Sequence, residues 1–319
     1  MGSDPMESTI VTAADTLVAL RTKICQRLSS LVTSDYYLLE IPHHSNIGDY
    51  LIWQGEIDFL KTLPYKCLGM HAYNTFGFPR LDPRVTILMN GGGSFGDVWI
   101  DSLKFKMSVI DHYKDNKIIF FPQSVQFDDK HVESEVLGKL ERSQNVYICA
   151  RDRYSYDLLV DSCHERVLLV PDMAFFADVL HVPVVSGDRE MAFFRGDREY
   201  RDSKCFREIC ADRAIEKVDW AVFINGKFLF KLFMGLDFAS RWFGGVVDWV
   251  ALNMIRPYLI KEGIRLLNGV SLVHTARMHG GILAIMLGRD VRFYDNSYGK
   301  ISRFFFTWLS ECESAKLES

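Results

Sequence analysis

Three features that would place a protein in a broad class at once are missing from this sequence of 319 residues. No window of about 20 residues is apolar and free of charge, so no membrane-spanning helix is predicted. Lys and Arg number 37 against 41 Asp and Glu, and the net charge of −4 argues against nucleic acid as a partner, because a duplex-binding protein needs a basic surface. The seven cysteines are odd in number and form no Cys-x-x-Cys pair, which is typical of reduced thiols in a cytoplasmic protein.

Length and composition predict a folded protein of two domains. Hydrophobic residues make up 48% and charged residues 24% of the chain, and its length is about twice that of an average domain. Residues 1–6 contain two methionines and no basic region before an apolar core, so they resemble a vector leader more than a signal peptide. The predicted organisation is a leader and N-terminal helix over 1–34, a first domain over 35–184 and a second domain over 185–319.

Short apolar runs alternate with longer amphipathic stretches in the first half of the chain. The runs predict buried strands over 36–41, 85–89, 117–121, 146–150 and 166–170. The stretches between them predict helices over 49–63, 97–112, 130–141 and 153–161. Because parallel strands need crossover connections, this alternation predicts a Rossmann-like, doubly wound α/β domain with helices on both faces of a parallel sheet.

The same rhythm restarts in the second half, where strands are predicted over 191–195, 218–224, 271–275 and 291–294. A second Rossmann-like domain is the simplest account. In sheets of this class, ligands bind beyond the carboxyl ends of the strands. Two such domains would therefore face each other across one cleft.

The segment 227–249 is rich in aromatic residues and has few charges. Its aromatic residues are Phe228, Phe230, Phe233, Phe238, Trp242, Phe243 and Trp249. The favoured interpretation is an aromatic helix packed into the second core. The alternative is a surface that docks the acceptor or the inner face of the membrane, because mixed aromatic and basic residues suit a lipid interface.

Polar and small residues follow the predicted strands of the first half. Residues 46–49 precede a helix, and Asp49 there is either its N-cap or a site residue. The glycine-rich run 90–97 is predicted to open a helix, where free N–H groups can hold an anion, or serves only the geometry of a tight turn. It lacks the lysine of a P-loop and the Gly-x-Gly-x-x-Gly spacing of dinucleotide sites. Arg151 follows a strand directly and is expected to face the cleft, although a surface ion pair with Asp152 or Asp157 would also explain it.

The sharpest motif lies in the second half, where Arg277, His279 and Gly280 stand between a predicted strand and an apolar helix. A cation and an imidazole two residues apart at a helix N-terminus favour an anion site. Asn296 and Lys300 follow the next strand and add an amide and an ammonium group, or form an ordinary turn with a solvated lysine.

In this order the motifs resemble the polysaccharide pyruvyl transferase family over roughly residues 35–305. The matching motifs are Asn46-Ile-Gly-Asp49, the Gly-Gly-Gly-Ser-Phe-Gly-Asp run ending at Asp97, Pro122-Gln-Ser124, Ala150-Arg-Asp152, Pro171-Asp172 with Phe175, Arg195-x-Asp-x-Glu199, Arg277-x-His-Gly280 and Asp295-Asn-x-Tyr-Gly-Lys300. The resemblance implies a fold similar to GT-B glycosyltransferases, phosphoenolpyruvate as donor, and a glycan acceptor that is free or lipid-linked. It implies a reaction without a redox cofactor, and no metal site is predicted, because the adjacent His43 and His44 lack a spaced partner.

Roles can be expected for the residues of these motifs. His279 is expected to protonate the enol ether or to bind the leaving phosphate, and Asp49 is expected to act as base, with Asp97 as the alternative. Predicted donor-binding residues are Arg151, Arg277, His279, Gly280, Asn296 and Lys300. Predicted acceptor-side residues are Asn46, Asp49, Gly92, Ser94, Asp97, Gln123 and Ser124. Loss of either arginine is expected to weaken donor binding without unfolding the protein.

Two other functions are compatible with the same motifs. A nucleotide-sugar glycosyltransferase of polysaccharide biosynthesis would keep the fold and change the donor. A non-catalytic glycan-binding module would keep the cleft and lose the chemistry.

Overall fold

The computed structural model describes residues 10–179, 185, 187–194, 204–212, 214–238, 240–295 and 299–318. The α-helices among them are α1 (Ala13–Leu28), α2 (Ile47–Leu60), α3 (Ile100–His112), α4 (Lys130–Arg142), α5 (Arg153–Cys163), α6 (Lys204–Ala211), α7 (Trp220–Asn225), α8 (Phe228–Phe238), α9 (Ser240–Val250), α10 (Arg256–Leu266), α11 (Met278–Met286) and α12 (Lys300–Trp308). The strands are β1 (Tyr36–Leu39), β2 (Cys67–His71), β3 (Thr86–Met89), β4 (Gly92–Phe95), β5 (Ile118–Val125), β6 (Val146–Ala150), β7 (Val167–Leu169), β8 (Arg189–Phe193), β9 (Glu216–Val218), β10 (Val270–Thr275), β11 (Asp290–Tyr294) and β12 (Ala315–Glu318).

The first sheet has the strand order β2-β1-β3-β5-β6-β7, with β4 paired to the end of β5. Every described pair in it is parallel, and every residue of β5 is buried. Parallel strands buried on both faces read as continuous apolar runs, which is why all five predicted strands of this half are confirmed. Strands β2 and β4 were not predicted, because neither is an apolar run.

The prediction that a helix follows the glycine-rich run is confirmed, with two differences: part of the run is a strand, and the first helical turn is a 3-10 turn. The middle of the run forms β4, which extends the ladder by pairing Gly92 with Gln123 and Phe95 with Val125. A single 3-10 turn over Asp97–Trp99 follows, and α3 begins only at Ile100. The glycines therefore serve a short strand that passes close to other parts of the chain.

The second sheet is also parallel and has the order β12-β11-β10-β8-β9. The predictions of strands near 191–195, 271–275 and 291–294 are confirmed, and Arg195 lies outside the described residues. The strand predicted over 218–224 is wrong: β9 ends at Val218, and Trp220 begins α7. The Asp219 carboxylate accepts the N–H of Ala221 as an N-cap, and this local hydrogen bond turns a short apolar run into a helix.

Helix α2 lies where the two sheets meet. It packs against α10, α11 and the 3-10 turn Met173–Phe176 that follows β7. One hydrophobic core includes residues from both sheets. The fold is therefore α/β with two parallel sheets, as predicted, while the domain boundaries at 34 and 184 stay predictions. None of the helices in the described ranges is both long and apolar enough to cross a bilayer.

The aromatic segment is only partly buried, so the prediction that it packs into the second core is wrong for its outer face. Phe230 and Phe233 are buried, and they fix α8 to the core. The side chains with large exposed fractions are Phe228 (76%), Phe238 (89%), Trp242 (72%), Phe243 (58%) and Trp249 (59%). Helices α8 and α9 therefore present an aromatic surface to the outside.

Candidate active site

A pocket opens where the carboxyl ends of the strands of both sheets meet. Its lining residues are Asn46, Asp49, Gly93, Arg151, Trp220, Arg277, Met278, His279, Lys300 and Ile301. The first four belong to the half that holds the first sheet, and the rest to the half that holds the second. The pocket thus brings together six of the residues that the sequence predicted for the site.

Arg151 enters this pocket from the end of β6. Its Nη1 donates to Asp172 Oδ2 at 2.7 Å and its Nε donates to Ser124 Oγ at 2.9 Å. The side chain is fully buried, and its Nη2 has no hydrogen-bond partner among the described residues. The interpretation as a surface ion pair with Asp152 or Asp157 is therefore wrong. A buried guanidinium edge without a partner is costly, which makes it a ready donor for an anionic ligand.

Asp172 connects the two halves of the site. Its Oδ2 accepts the Arg151 bond and lies 3.3 Å from His279 Nε2, and its Oδ1 accepts the N–H of Ala174 at 2.8 Å. Burial alone would raise the pKa of Asp172, but His279 and Arg151 together hold that pKa well below its usual range. Asp172 is therefore ionised at neutral pH, and it orients both a guanidinium from one sheet and an imidazole from the other.

The N-terminus of α11 supplies the second arginine and the histidine. Arg277 is the N-cap residue, with Nη2 donating to Asp219 Oδ1 at 2.7 Å and Nε donating to the carbonyl oxygen of Phe194 at 3.0 Å. His279 lies in the first turn, where the helix dipole favours negative charge nearby. Each arginine of the pocket is thus held in place by its own buried aspartate.

Two glycines permit these side chains to approach the opposite wall. A Cβ atom at Gly48 would lie 2.5 Å from His279 Nδ1, so the ring rests against the backbone of α2. A Cβ atom at Gly93 would lie 3.0 Å from Arg151 Nη2 and would collide with Lys300 Nζ. The absence of side chains at these positions keeps the cationic groups within one pocket.

The N-terminus of α2 contributes the carboxylate of the pocket. Asn46 is the N-cap: its Oδ1 accepts the N–H of Gly48 at 3.2 Å, and its Nδ2 donates to Asp49 Oδ2 at 2.8 Å. The interpretation of Asp49 as the N-cap is therefore wrong. Asp49 is partly exposed to the pocket, and His44 Nε2 lies 3.4 Å from its Oδ2.

Several other predicted residues lie beside the pocket rather than in its lining. Ser124 Oγ accepts the hydrogen bond from Arg151 Nε at 2.9 Å. Gln123 donates from Nε2 to the carbonyl oxygen of Asn90 at 2.7 Å. A Cβ atom at Gly92 would lie 3.8 Å from Asp49 Oδ1, so Gly92 lies beside Asp49.

The remaining predicted residues have structural partners elsewhere. Ser94 Oγ accepts from Lys106 Nζ at 2.9 Å, and a Cβ atom at Gly280 would lie 3.0 Å from the Phe193 ring, which indicates close packing of α11 on the sheet. The Asp97 carboxylate accepts hydrogen bonds from the backbone N–H groups of Asp128 and Asp129. Both of its oxygens are therefore engaged in holding the following loop. Asn296 lies outside the described residues.

Sequence reasoning missed three residues that shape the site: Asp172 as a bridge, Asp219 as the partner of Arg277, and Trp220. Asp219 directly follows β9, and Asp172 lies three residues after the end of β7. This position after a strand was the sequence signal that could have identified both. Glu56 was also missed. Its Oε1 accepts the N–H of Gly91 at 2.7 Å, a bond that fastens α2 to the glycine-rich run, and burial raises the pKa of Glu56 well above the usual range.

The two adjacent histidines point to different partners. His43 Nδ1 lies 2.7 Å from Asp237 Oδ1 and its Nε2 lies 3.3 Å from Asp248 Oδ1, whereas His44 approaches Asp49. Within the described ranges, no three His, Cys, Asp or Glu side chains are arranged to hold a metal ion. His43 instead joins the aromatic helices α8 and α9 to the chain that leads into the pocket.

Comparison with known proteins adds independent findings. The family model for "Polysaccharide pyruvyl transferase" matches residues 46–298. The chain is 25% identical to "Putative pyruvyl transferase EpsO" of Bacillus subtilis over 92% of this chain and 90% of that protein. It is 24% identical to "Pyruvyl transferase 1" of Schizosaccharomyces pombe over 86% of this chain and 70% of that protein. The Klebsiella pneumoniae protein KP1_0663 shares the fold, with a TM-score of 0.65 at 18% identity over 94% of this chain and 98% of that one.

Proposed function

Because the chain belongs to the polysaccharide pyruvyl transferase family, we propose that it transfers the enolpyruvyl group of phosphoenolpyruvate to a pair of sugar hydroxyls. The product is a pyruvate ketal on an exopolysaccharide or cell-surface glycan precursor, and phosphate is released. The observation that carries this proposal is the convergence of Arg151, Arg277, His279 and Lys300 from both halves on one pocket. Phosphoenolpyruvate bears a phosphate and a carboxylate close together, so it needs several cations or oriented N–H groups at once.

The donor is expected to bind between the two arginines. Nη2 of Arg151 is a buried donor without a described partner, and the start of α11 adds oriented N–H groups. The pocket between these groups has a volume of about 50 Å³, and its lining includes the Lys300 side chain beside Gly93.

The chemistry assigns one step to each group around the donor. A proton from His279 adds to C3 of the enol, positive charge develops at C2, and the first sugar hydroxyl forms a bond to C2 while losing its proton to Asp49. The C2–O bond to phosphate then breaks, and the second hydroxyl attacks C2 to close the ketal. Of the two hydroxyl protons, one replaces the proton given to C3 and the other leaves with phosphate.

We also propose that the two sheets mark two Rossmann-like domains in a GT-B-like arrangement, with the acceptor side over 35–184 and the donor side over 185–319. A pocket at the carboxyl ends of both sets of strands supports this division. Neither a redox cofactor nor a metal is required by the proposed reaction, and phosphoenolpyruvate is the co-substrate.

A phosphate-release assay with phosphoenolpyruvate and a glycan diol tests the proposed reaction. We expect release that depends on both substrates and a product heavier by one pyruvate ketal. His279→Gln should abolish most turnover, whereas His131→Gln, at an exposed position on α4, should leave it unchanged. Stabilisation by UDP- or GDP-sugars, with none by millimolar phosphoenolpyruvate, would instead support a glycosyltransferase and contradict the proposal.

For the aromatic surface of α8 and α9 we propose peripheral contact with an anionic phospholipid bilayer at the inner face of the membrane. Five aromatic side chains are largely exposed there, and exposed patches of this kind mark interaction sites. The acids of the segment, Asp237 and Asp248, are turned inward to His43 and His71. Among the described side chains of the segment, the exposed charge is therefore that of Lys231, which suits anionic headgroups.

Co-sedimentation with vesicles tests this contact. The protein should sediment with vesicles that contain phosphatidylglycerol, and Trp242→Ser with Trp249→Ser should reduce the bound fraction severalfold without changing donor affinity. Trp99→Ser, at an exposed tryptophan outside the segment, is the matched control. Equal sedimentation of all variants would contradict the contact, and concentration-dependent dimerisation lost in the double variant would assign the surface to a second copy of the chain.

A further inference from the structure

A second cavity of about 590 Å³ lies further along α12, at the residues that follow those lining the candidate active site. Helix α1 contributes Lys23 and Arg27, the start of α5 contributes Arg153, and α12 contributes Arg303 and Phe306. A volume of this size falls within the range of about 300–1,000 Å³ that small-molecule sites occupy. The cavity is therefore large enough for a compact ligand.

The wall of this cavity is strongly basic. None of its nine lining residues is Asp or Glu, although the whole chain carries a net charge of −4. Among the described residues, neither Lys23, Arg27 nor Arg153 has a carboxylate at ion-pair distance, in contrast to Arg151 and Arg277, which each have one. Unpaired cations around one cavity attract a ligand with more than one negative charge.

Aromatic rings lie against three of the four cations of the cavity, and Arg153 is one of them, with its guanidinium 5.5 Å from the centre of the Tyr156 ring. The Arg303 guanidinium lies 3.5 Å from the centre of the Tyr154 ring, and Lys23 Nζ lies 5.0 Å from the centre of the Trp308 ring. Arg303 is also held by a bond from Nη1 to Gln126 Oε1 at 3.1 Å. These contacts position the charged groups before a ligand arrives.

One further ring is available to a ligand. Phe306 is 68% exposed at the cavity, on the same helix as Arg303. A flat, exposed apolar ring beside fixed cations suits a ligand that combines a planar group with a multiply charged one.

We propose that this cavity binds a nucleoside diphosphate, with the diphosphate against Arg27, Arg153 and Lys23 and the base against Phe306. A single phosphate would use only part of this charge. The cavity is separate from the candidate active site, but the two share α12, and Trp308 Nε1 donates to the carbonyl oxygen of Arg151 at 2.7 Å. The inference does not depend on the proposed pyruvyl transfer.

Calorimetric titration at low salt with UDP, GDP, ADP, inorganic pyrophosphate and inorganic phosphate tests this site. At least one nucleoside diphosphate should bind more tightly than pyrophosphate, and pyrophosphate more tightly than phosphate. Arg27→Gln and Arg153→Gln should each weaken nucleoside diphosphate binding by about tenfold or more, the loss expected for one charge-assisted hydrogen bond. Arg142→Gln, at an exposed position at the end of α4, is the matched control and should bind like the wild type.

A variant of Phe306 and a titration with phosphoenolpyruvate complete the test. Phe306→Ser should weaken nucleoside diphosphate binding severalfold and leave pyrophosphate binding unchanged. Phosphoenolpyruvate affinity should be the same in all four variants, which separates this site from the candidate active site. The inference is overturned if no nucleoside diphosphate binds at millimolar concentration, if Arg27→Gln and Arg153→Gln bind it as well as the wild type, or if pyrophosphate binds as tightly as the nucleoside diphosphates.

Discussion

Asp172→Asn removes the carboxylate that joins the two halves of the site, and its effect can be estimated from burial. Asp172 and Arg151 are both fully buried and 2.7 Å apart. Loss of one partner leaves a buried charge without compensation, which costs about 3–5 kcal/mol. Asparagine has nearly the same volume and can still accept the N–H of Ala174. The decrease in the free energy of unfolding therefore measures the loss of the charge and not the creation of a cavity.

Urea unfolding followed by tryptophan fluorescence measures this change, and Asp152→Asn is its matched control. Asp152 is also buried; it caps α5 by accepting the N–H of Ser155 at 2.8 Å, and it accepts the Ser124 hydroxyl at 2.6 Å. Asparagine can fill both roles, because its oxygen keeps the cap and its amide can donate to the Ser124 oxygen. We expect the control to lose about 1 kcal/mol or less. Similar losses for Asp172→Asn and Asp152→Asn would refute the reasoning.

The same variant has a predicted pH dependence. Burial alone would raise the pKa of Asp172, but its cationic partners hold the folded-state pKa below the unfolded value of about 3.9. Its stabilising contribution is therefore complete above that value and is lost as the pH falls below it. The difference in the free energy of unfolding between wild type and Asp172→Asn should be constant from about pH 7 to pH 5 and should shrink below about pH 4.

Three further outcomes are expected. Gly48→Ala should lower turnover at least tenfold while donor binding and folding persist, because its Cβ would displace the His279 ring; Gly235→Ala, which meets no atom within 4 Å, should leave turnover unchanged. Arg277→Gln should weaken phosphoenolpyruvate binding, measured by calorimetry, by about 1.5–3 kcal/mol. Burial alone would lower the pKa of His43, but hydrogen bonds to Asp237 and Asp248 outweigh it and raise that pKa. The stabilising contribution of His43 should therefore be complete below its unfolded-state pKa of about 6.5 and be lost as the pH rises through its folded-state pKa. Thermal scans should show this pH dependence in the wild type and not in His43→Gln.

Much of the first sheet and half of the site could be predicted from the sequence. Buried parallel strands are short apolar runs, and the residues that follow them must meet at one edge of the sheet. That rule alone indicated Arg151, Arg277 and Lys300 as candidates. The strand predicted over 218–224 was wrong because Asp219 is the N-cap of a helix that begins at Trp220.

Partnerships between distant residues could not be predicted in the same way. Nothing in the local pattern indicates that Asp172 binds both Arg151 and His279, since these contacts depend on how the two sheets meet. The expectation that Arg151 could be removed without unfolding followed from treating it as an open ligand group, and its complete burial against Asp172 argues against that. The exposure of Trp242 and Trp249 also could not be predicted, because it depends on which side of α9 packs against the protein. A helix with apolar residues on both sides does not reveal which side that is.

Calorimetric titration of phosphoenolpyruvate into Arg151→Lys and Arg277→Gln is the most direct test of the claim that both halves of the protein bind one donor. Lysine at 151 can keep the charge beside Asp172 but loses the second guanidinium edge that faces the pocket. We predict that each variant keeps the wild-type circular dichroism spectrum and binds the donor about tenfold or more weakly. Wild-type affinity in either variant would show that the donor is held by one half alone and would contradict the account.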